Sequence, residues 1–323
     1  MFSGGENMKI AIIDTCTITK GDVSLDEIAA LGEVSYFDEV EYPDIPDAVR
    51  TADAIICNKA DINREFIKSC ENLKYIGLFA TGYNNIDIDA AKKRGIAVAN
   101  VPGYSTHAVA QLTLSMILAL SGSLVDYANS TKNGGWVRSS TFSYFPYPMF
   151  ELRGKTLGVF GYGDIGREVA RLGDAFGMEV IVSTRTPSKC TEFPVVSREE
   201  LFERSDFLTL HAPLNDDTRL MVNERTLSLM KKSAYLINTS RGGAIDEAAL
   251  ARALNEERIA GAGIDVLTVE PMRADNPLLT AKNCIMTPHV AWAPIETRRR
   301  LITLVAENLA CFLKGEPKNI VNK

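Results

Sequence analysis

Short apolar, often β-branched runs recur along the chain, alternating with segments whose apolar positions fall at helical spacing. That alternation predicts parallel α/β sheets. In the first hundred residues the strand-like runs are 9–14 (KIAIID), 33–37, 54–58, 74–79 and 97–101. Helical stretches between them include Ser24–Leu31, Asn63–Cys70 and Ile88–Arg94, the last stopped by Gly95. Together they predict one five-stranded open unit. Residues 106–127 then carry apolar side chains at helical spacing nearly all round, which predicts one long interior helix. The next stretch, 132–150, is rich in Gly, Ser, Pro and aromatics and is predicted to be a loop wrapping a neighbouring subunit or domain. A second strand series follows at 156–160, 179–184, 207–212, 234–240, 261–267 and 284–289. Residues 294–314 are amphipathic, opened by Pro294 and closed by Gly315, and predict a terminal helix. Met8 opens the first strand-like run, so residues 1–7 are expected to be a disordered leader.

Composition narrows the reading. A chain of 323 residues is long enough for two domains. A formal charge of −6 argues against nucleic acid or an anionic membrane as main partner. No apolar run reaches the roughly 18–20 residues that span a bilayer, and the start of the chain lacks the basic region and cleavage site of a signal peptide. The six cysteines are scattered, without a C-x-x-C pair or a histidine at metal-ligand spacing. Reduced thiols in a cytoplasmic protein without a metal site are therefore expected. Histidine is scarce: only His107, His211 and His289 could do imidazole chemistry.

The candidate chemistry lies in the second strand series. The run 156–160 leads straight into Gly161-Tyr162-Gly163-Asp164-Ile165-Gly166 and then a helical segment. This strand-to-helix context makes G-x-G-x-x-G a dinucleotide fingerprint: Gly161 for the tight turn, Gly163 for close approach to the pyrophosphate, Gly166 for helix packing. The next strand ends in Ser183-Thr184-Arg185-Thr186, without the carboxylate that would hold both ribose hydroxyls of NAD. Hydroxyls with Arg185 suit a 2′-phosphate, so the expectation leans to NADP(H) over NAD(H). Three later strands end near Arg241, Glu270 and His289. A guanidinium can grip a 2-oxo acid through paired donors, and an imidazole steadied by a carboxylate can exchange the hydroxyl proton. His211 ends a strand beside the expected cofactor groove, whereas His107 opens a helix, where the dipole disfavours its protonation.

Several motifs in one order, ATGYNNID (80–87), NVPGYSTHAVAQ (100–111), the Gly161 turn, LHAPLNDDT, INTSRGGAIDE, GAGIDVLTVEP and TPHVAW, closely resemble the D-isomer-specific 2-hydroxyacid dehydrogenases. The likeness is greatest to their glycerate dehydrogenase/hydroxypyruvate reductase branch. It implies two Rossmann/flavodoxin-like parallel-sheet domains with the active site in the cleft between them. The substrate domain would be discontinuous, 1–101 plus 290–323, with 102–289 as the cofactor domain. The resemblance carries the active-site arginine onto Arg241, the histidine-supporting glutamate onto Glu270 and the acid/base onto His289. It also assigns the carboxylate-binding loop to Thr81 and Gly82, the pocket aromatic to Trp292, and a place near the nicotinamide to Asp265. Cofactor contacts would extend over Thr184, Arg185, His211, Pro213, Thr218 and Thr239.

The activity implied is reversible reduction of a small 2-oxo acid, hydroxypyruvate or glyoxylate favoured, by a homodimer. Phosphoglycerate, D-lactate or aryl-pyruvate specificity, and a dinucleotide-sensing corepressor, are the alternatives.

Overall fold

The computed structural model describes residues 7–323, so the leader expectation falls, for residues 1–6, outside the described residues. The chain divides into two compact units, one comprising the described residues up to Ser105 together with Ala293–Lys323, the other Thr106–Trp292. Both are parallel α/β sheets, as the alternating pattern predicts.

In the first unit the strands are β1 (Lys9–Ile12), β2 (Glu33–Tyr36), β3 (Ala54–Cys57), β4 (Tyr75–Leu78) and β5 (Ala97–Ala99), in the order β2-β1-β3-β4-β5. β3 (AIIC) and β4 (YIGL) are buried at every position, as befits central strands covered on both faces. The expected helix at 63–70 forms over Arg64–Ser69, and the Asn63 side chain caps it by accepting from the N–H groups of Glu65 and Phe66. The terminal helix, Ile295–Leu313, returns to this unit and buries Leu301, Ile302, Val305 and Leu309. Its Asn308 donates to the Asn100 carbonyl at 3.0 Å. Gly315, at φ +77°, ends it as the sequence anticipates.

The second unit contains β6 (Thr156–Phe160), β7 (Glu179–Ser183), β8 (Phe207–Leu210), β9 (Tyr235–Asn238), β10 (Gly261–Ile264) and β11 (Cys284–Met286). Their order is β11-β10-β9-β8-β6-β7. The chain leaves β6 to one side for β7 and crosses back to the other for β8. The carboxyl ends of β6 and β8 therefore flank a topological switch point, where open α/β sheets bind ligands.

The strands stop short of their predicted carboxyl ends almost throughout, because those residues turn into loops instead of continuing the ladder. Asp14, expected in β1, has φ +56°. Its carboxylate accepts from the N–H groups of Asn58, Lys59 and Ala60, which removes Asn58 from β3 as well.

The single helix expected over 106–127 is two helices, Thr106–Ser121 and Leu124–Lys132, bent by 61°. Ser123 takes a left-handed backbone at φ +46°, and its hydroxyl donates to the Pro148 carbonyl at 2.7 Å. Tyr127 likewise donates to the Tyr147 carbonyl, so the 132–150 segment folds back on the second helix. Apolar spacing alone continues through Ser121–Ser123 and cannot reveal a break set by residues 25 positions away. Among the described residues, no single helix is long and apolar enough to cross a membrane.

Candidate active site

β6 ends at Phe160, and the Gly161 N–H donates to the Ser183 carbonyl of β7 at 2.8 Å. Gly161 has φ +92°, and a Cβ there would stand 2.7 Å from the backbone nitrogen of Ala212. Only glycine fits this turn. A Cβ at Gly166 would lie 2.0 Å from the Gly161 carbonyl oxygen, so the helix Asp164–Ala175 can close on the turn only through a glycine. Gly163 is the N-cap of that helix and supplies no side-chain cap, and the space its Cβ would enter is open to 4 Å. The first N–H groups of the helix thus lack a capping side chain beside open space, with the positive end of the dipole behind them.

Across the switch point, the His211 N–H donates to the Phe160 carbonyl at 2.8 Å. Both of its ring nitrogens are buried without a hydrogen-bond partner. Burial pulls its pKa down to about 3, so the ring stays neutral at ordinary pH. A buried polar pair with no partner beside a glycine cradle fits a polar ligand that lies in the groove.

The other cofactor candidates divide into two groups. Thr184 lies just past β7 and accepts from the Thr186 N–H at 3.3 Å. Arg185 is exposed, with no hydrogen bond or ion pair among the described residues. Asp164 and Pro213 are exposed, and Ile165 packs partly on the core. By contrast, the Thr218 hydroxyl is spent on the turn it belongs to, donating to the Pro213 carbonyl at 2.8 Å. The Thr239 hydroxyl pairs with Thr113 at 2.9 Å inside the unit. Tyr162 is buried, and its hydroxyl donates to Glu192 at 2.6 Å.

Arg241, Glu270 and His289 lie past the carboxyl ends of β9, β10 and β11. Asn238, the last residue of β9, folds the arginine turn: its side chain donates to the Arg241 carbonyl and accepts from the Ser240 N–H. The Arg241 side chain is exposed and makes one bond, to the Ser240 carbonyl. A Cβ on Gly242 would stand 1.9 Å from the Leu267 carbonyl carbon. The arginine turn therefore rests directly on the backbone that leads to Glu270.

Glu270 accepts from the Leu267 N–H at 2.9 Å through one oxygen and meets His289 Nδ1 at 2.6 Å through the other. With Nδ1 engaged, Nε2 is the nitrogen left for a substrate. His289 has φ +55°, an uncommon backbone for a non-glycine residue. The loop around it is pinned by Asp265, which is 2% exposed. That carboxylate accepts from the Thr287 hydroxyl at 2.5 Å and from the N–H groups of Val290 and Ala291. Asn238 and Thr287 position these loops through contacts that residue type and spacing do not reveal, whereas the Gly242–Gly243 pair is a local signal of the turn after Arg241. Trp292, three residues past the histidine, is half-buried.

In the first unit, the Thr81–Gly82 loop follows β4. The Thr81 hydroxyl donates to the Val101 carbonyl at 2.8 Å, and Asn100 donates to the Thr81 carbonyl. Among the described residues the N–H groups of Thr81 and Gly82 have no backbone acceptor.

A sequence profile described as D-isomer specific 2-hydroxyacid dehydrogenase, NAD binding domain, matches residues 114–291. The chain belongs to this family. A 2-hydroxyacid dehydrogenase is an oxidoreductase of CH–OH groups, and the matched domain coincides with the unit that holds the Gly161 turn, so the cofactor is a nicotinamide dinucleotide. Among its relatives, a hydroxypyruvate reductase of Blautia hydrogenotrophica is 38% identical over 98% of this chain and 100% of its own. A glycerate dehydrogenase of Methylorubrum extorquens is 39% identical over 86% of this chain and 88% of its own. The solved NADPH-dependent glyoxylate/hydroxypyruvate reductase of Sinorhizobium meliloti, in complex with NADP and malonate, is 30% identical with a TM-score of 0.85. That alignment covers 98% of this dehydrogenase and 97% of the solved chain.

Proposed function

We propose that this dehydrogenase reduces hydroxypyruvate and glyoxylate, to D-glycerate and glycolate, with NADPH. The observation that carries the reading is the 2.6 Å contact between Glu270 and His289 Nδ1, in the same unit as an uncapped glycine turn. The relatives above, a hydroxypyruvate reductase, a glycerate dehydrogenase and an NADPH-dependent glyoxylate/hydroxypyruvate reductase, support it.

The reduced dinucleotide, when bound, supplies the two electrons and one hydrogen that reduce C2. Its pyrophosphate would be held by the backbone around Gly161 and Gly163, with the His211 ring as a neutral polar contact and Thr184 and Arg185 toward the ribose. Arg241 orients the substrate by paired donors to its carboxylate and carbonyl. In the other unit, the N–H groups of Thr81 and Gly82, which have no backbone acceptor among the described residues, are available to an anionic group. Protonated His289 donates from Nε2 to the oxygen on C2, while Glu270 holds Nδ1–H and stabilises the cation. In the oxidative direction neutral Nε2 takes that proton back.

The test is a turnover panel of hydroxypyruvate, glyoxylate, pyruvate, phenylpyruvate and 3-phosphohydroxypyruvate with each cofactor. Highest kcat/KM on the first two substrates supports the reading. A clear preference for one of the others reassigns the substrate, and tight dinucleotide binding with no turnover supports a sensor.

For the cofactor, kcat/KM is expected to be higher with NADPH than with NADH. Arg185→Ala should weaken NADPH by about 10-fold, the worth of one charge-assisted phosphate contact, and leave NADH nearly unchanged. Equal losses with both cofactors would remove Arg185 from phosphate recognition.

We also propose a homodimer, covered by the arm at 124–149. Val137 and Phe142 are 88% and 90% exposed there, in company with Leu124, Trp136, Phe145 and Met149. So dense an exposed apolar surface marks an interaction site. Sedimentation equilibrium should give twice the chain mass, and Phe142→Ser with Val137→Ser should shift it toward one. A cytoplasmic location belongs to the same proposal and agrees with six free thiols.

A further inference from the structure

Tyr162 sits inside the phosphate turn but points away from it. Its ring is 5% exposed, meets Phe193 edge-on at 6.5 Å between centroids, and carries the Arg167 guanidinium 5.5 Å from its centroid. Its hydroxyl donates to Glu192 at 2.6 Å, a short charge-assisted bond. Burial and the neighbouring carboxylate push the phenol well above its usual pKa, so it remains a donor.

Glu192 lies on the loop that follows β7, the loop that begins with Thr184 and Arg185. The base of that loop is closed by the Val182–Val195 bridge, with the Val182 N–H donating to the Pro194 carbonyl at 2.9 Å. Cys190 is buried beneath it and contacts the Phe193 carbonyl. Between Thr184 and Val195 there are two cations, Arg185 and Lys189, and a single carboxylate, Glu192. That carboxylate is the group which, placed at the ribose, would favour two free hydroxyls and repel a 2′-phosphate.

We propose that the Tyr162–Glu192 pair is a latch that withholds the loop's single carboxylate from the ribose, making Tyr162 a specificity-determining positioning residue. The inference deepens the dinucleotide reading and rests on it. With the hydroxyl removed, Glu192 is free to move toward Arg185 and the ribose. It neutralises the guanidinium or repels the 2′-phosphate, and either outcome penalises NADPH more than NADH. One unscreened like-charge contact at a protein surface is enough for an effect of about tenfold.

The experiment measures dissociation constants of NADPH and NADH by fluorescence titration, without substrate, for wild type, Tyr162→Phe, Glu192→Gln and the double variant. Phenylalanine keeps the ring packing, and Glu192 is exposed enough to regain water, so folding should survive. Tyr162→Leu, which also lacks the hydroxyl, is read in the same way. Tyr162→Phe is expected to shift the NADPH-to-NADH ratio of dissociation constants about tenfold against NADPH. Glu192→Gln, still an acceptor for the phenol, should leave the ratio unchanged. The double variant should return it to the wild-type value, because the released group is no longer charged. A ratio unmoved by Tyr162→Phe overturns the latch, as does a double variant that stays as impaired as the single one, which is how a merely structural tyrosine behaves. Wild type that binds neither dinucleotide overturns the latch together with the cofactor reading; wild type that binds both with an unmoved ratio overturns the latch alone.

Discussion

His289→Asn is expected to lower turnover about 10²- to 10⁴-fold, the usual cost of removing a general acid–base group. Asparagine is the informative replacement. At φ +55° the backbone of residue 289 is in the left-handed region, which asparagine enters more readily than other side chains. The variant therefore loses the imidazole without adding backbone strain. The Asp265 bonds to Val290 and Ala291 do not involve the histidine side chain, so the loop should keep its place. Dissociation constants for the dinucleotide should stay within about twofold of wild type, and the melting temperature should barely move.

Reduction uses the protonated ring and oxidation the neutral one, so His289→Asn should lose turnover in both directions. Glu270→Gln should retain the Nδ1 contact but lose its charge, giving a smaller loss of turnover than His289→Asn. Wild-type turnover in His289→Asn would remove the imidazole from the mechanism.

Arg241→Ala is expected to lower kcat/KM for hydroxypyruvate by about 10²- to 10⁴-fold. Two hydrogen bonds to a charged group are worth about 1.5–3 kcal/mol each, and each 1.36 kcal/mol is about tenfold in rate. Arg241→Lys keeps the charge but not the planar fork, so it should recover only part of this loss. The fold should not suffer, because the side chain is exposed and its one bond is to a neighbouring carbonyl. Unchanged kcat/KM in Arg241→Ala, with dinucleotide binding intact, would show that the substrate is gripped elsewhere. The neighbouring glycine behaves differently. A methyl group at Gly242 collides with Leu267 backbone, not with a movable side chain, so it disturbs the arginine and glutamate loops together.

Much of this site was legible in the chain because its parts are local. The Gly161 turn needs only a strand, three glycines and a helix in sequence, and each glycine has a local steric reason. Arg241, Glu270 and His289 could be picked out by residue type and by the strands that precede them. Less legible was which candidate side chains face inward. Thr218 and Thr239 are assigned to the cofactor by the resemblance, and the sequence does not show that their hydroxyls find protein partners, one within its own turn and one on a helix far back in the chain. Asp265 lay near the expected chemistry, but its bonds to the histidine loop come from residues more than 20 positions later.

Two parallel α/β units, the dinucleotide turn, the terminal helix and the candidate reactive groups could be read from the sequence. These follow from periodicity, glycine sterics and side-chain chemistry, all readable within a few residues. Only the tertiary structure shows the break at Ser123, where the strands stop, the Asp265 bonds that pin the histidine loop, and the pairing of Tyr162 with Glu192. Those features depend on hydrogen bonds between segments distant in the chain, and no local pattern encodes which of several possible partners a buried polar group meets.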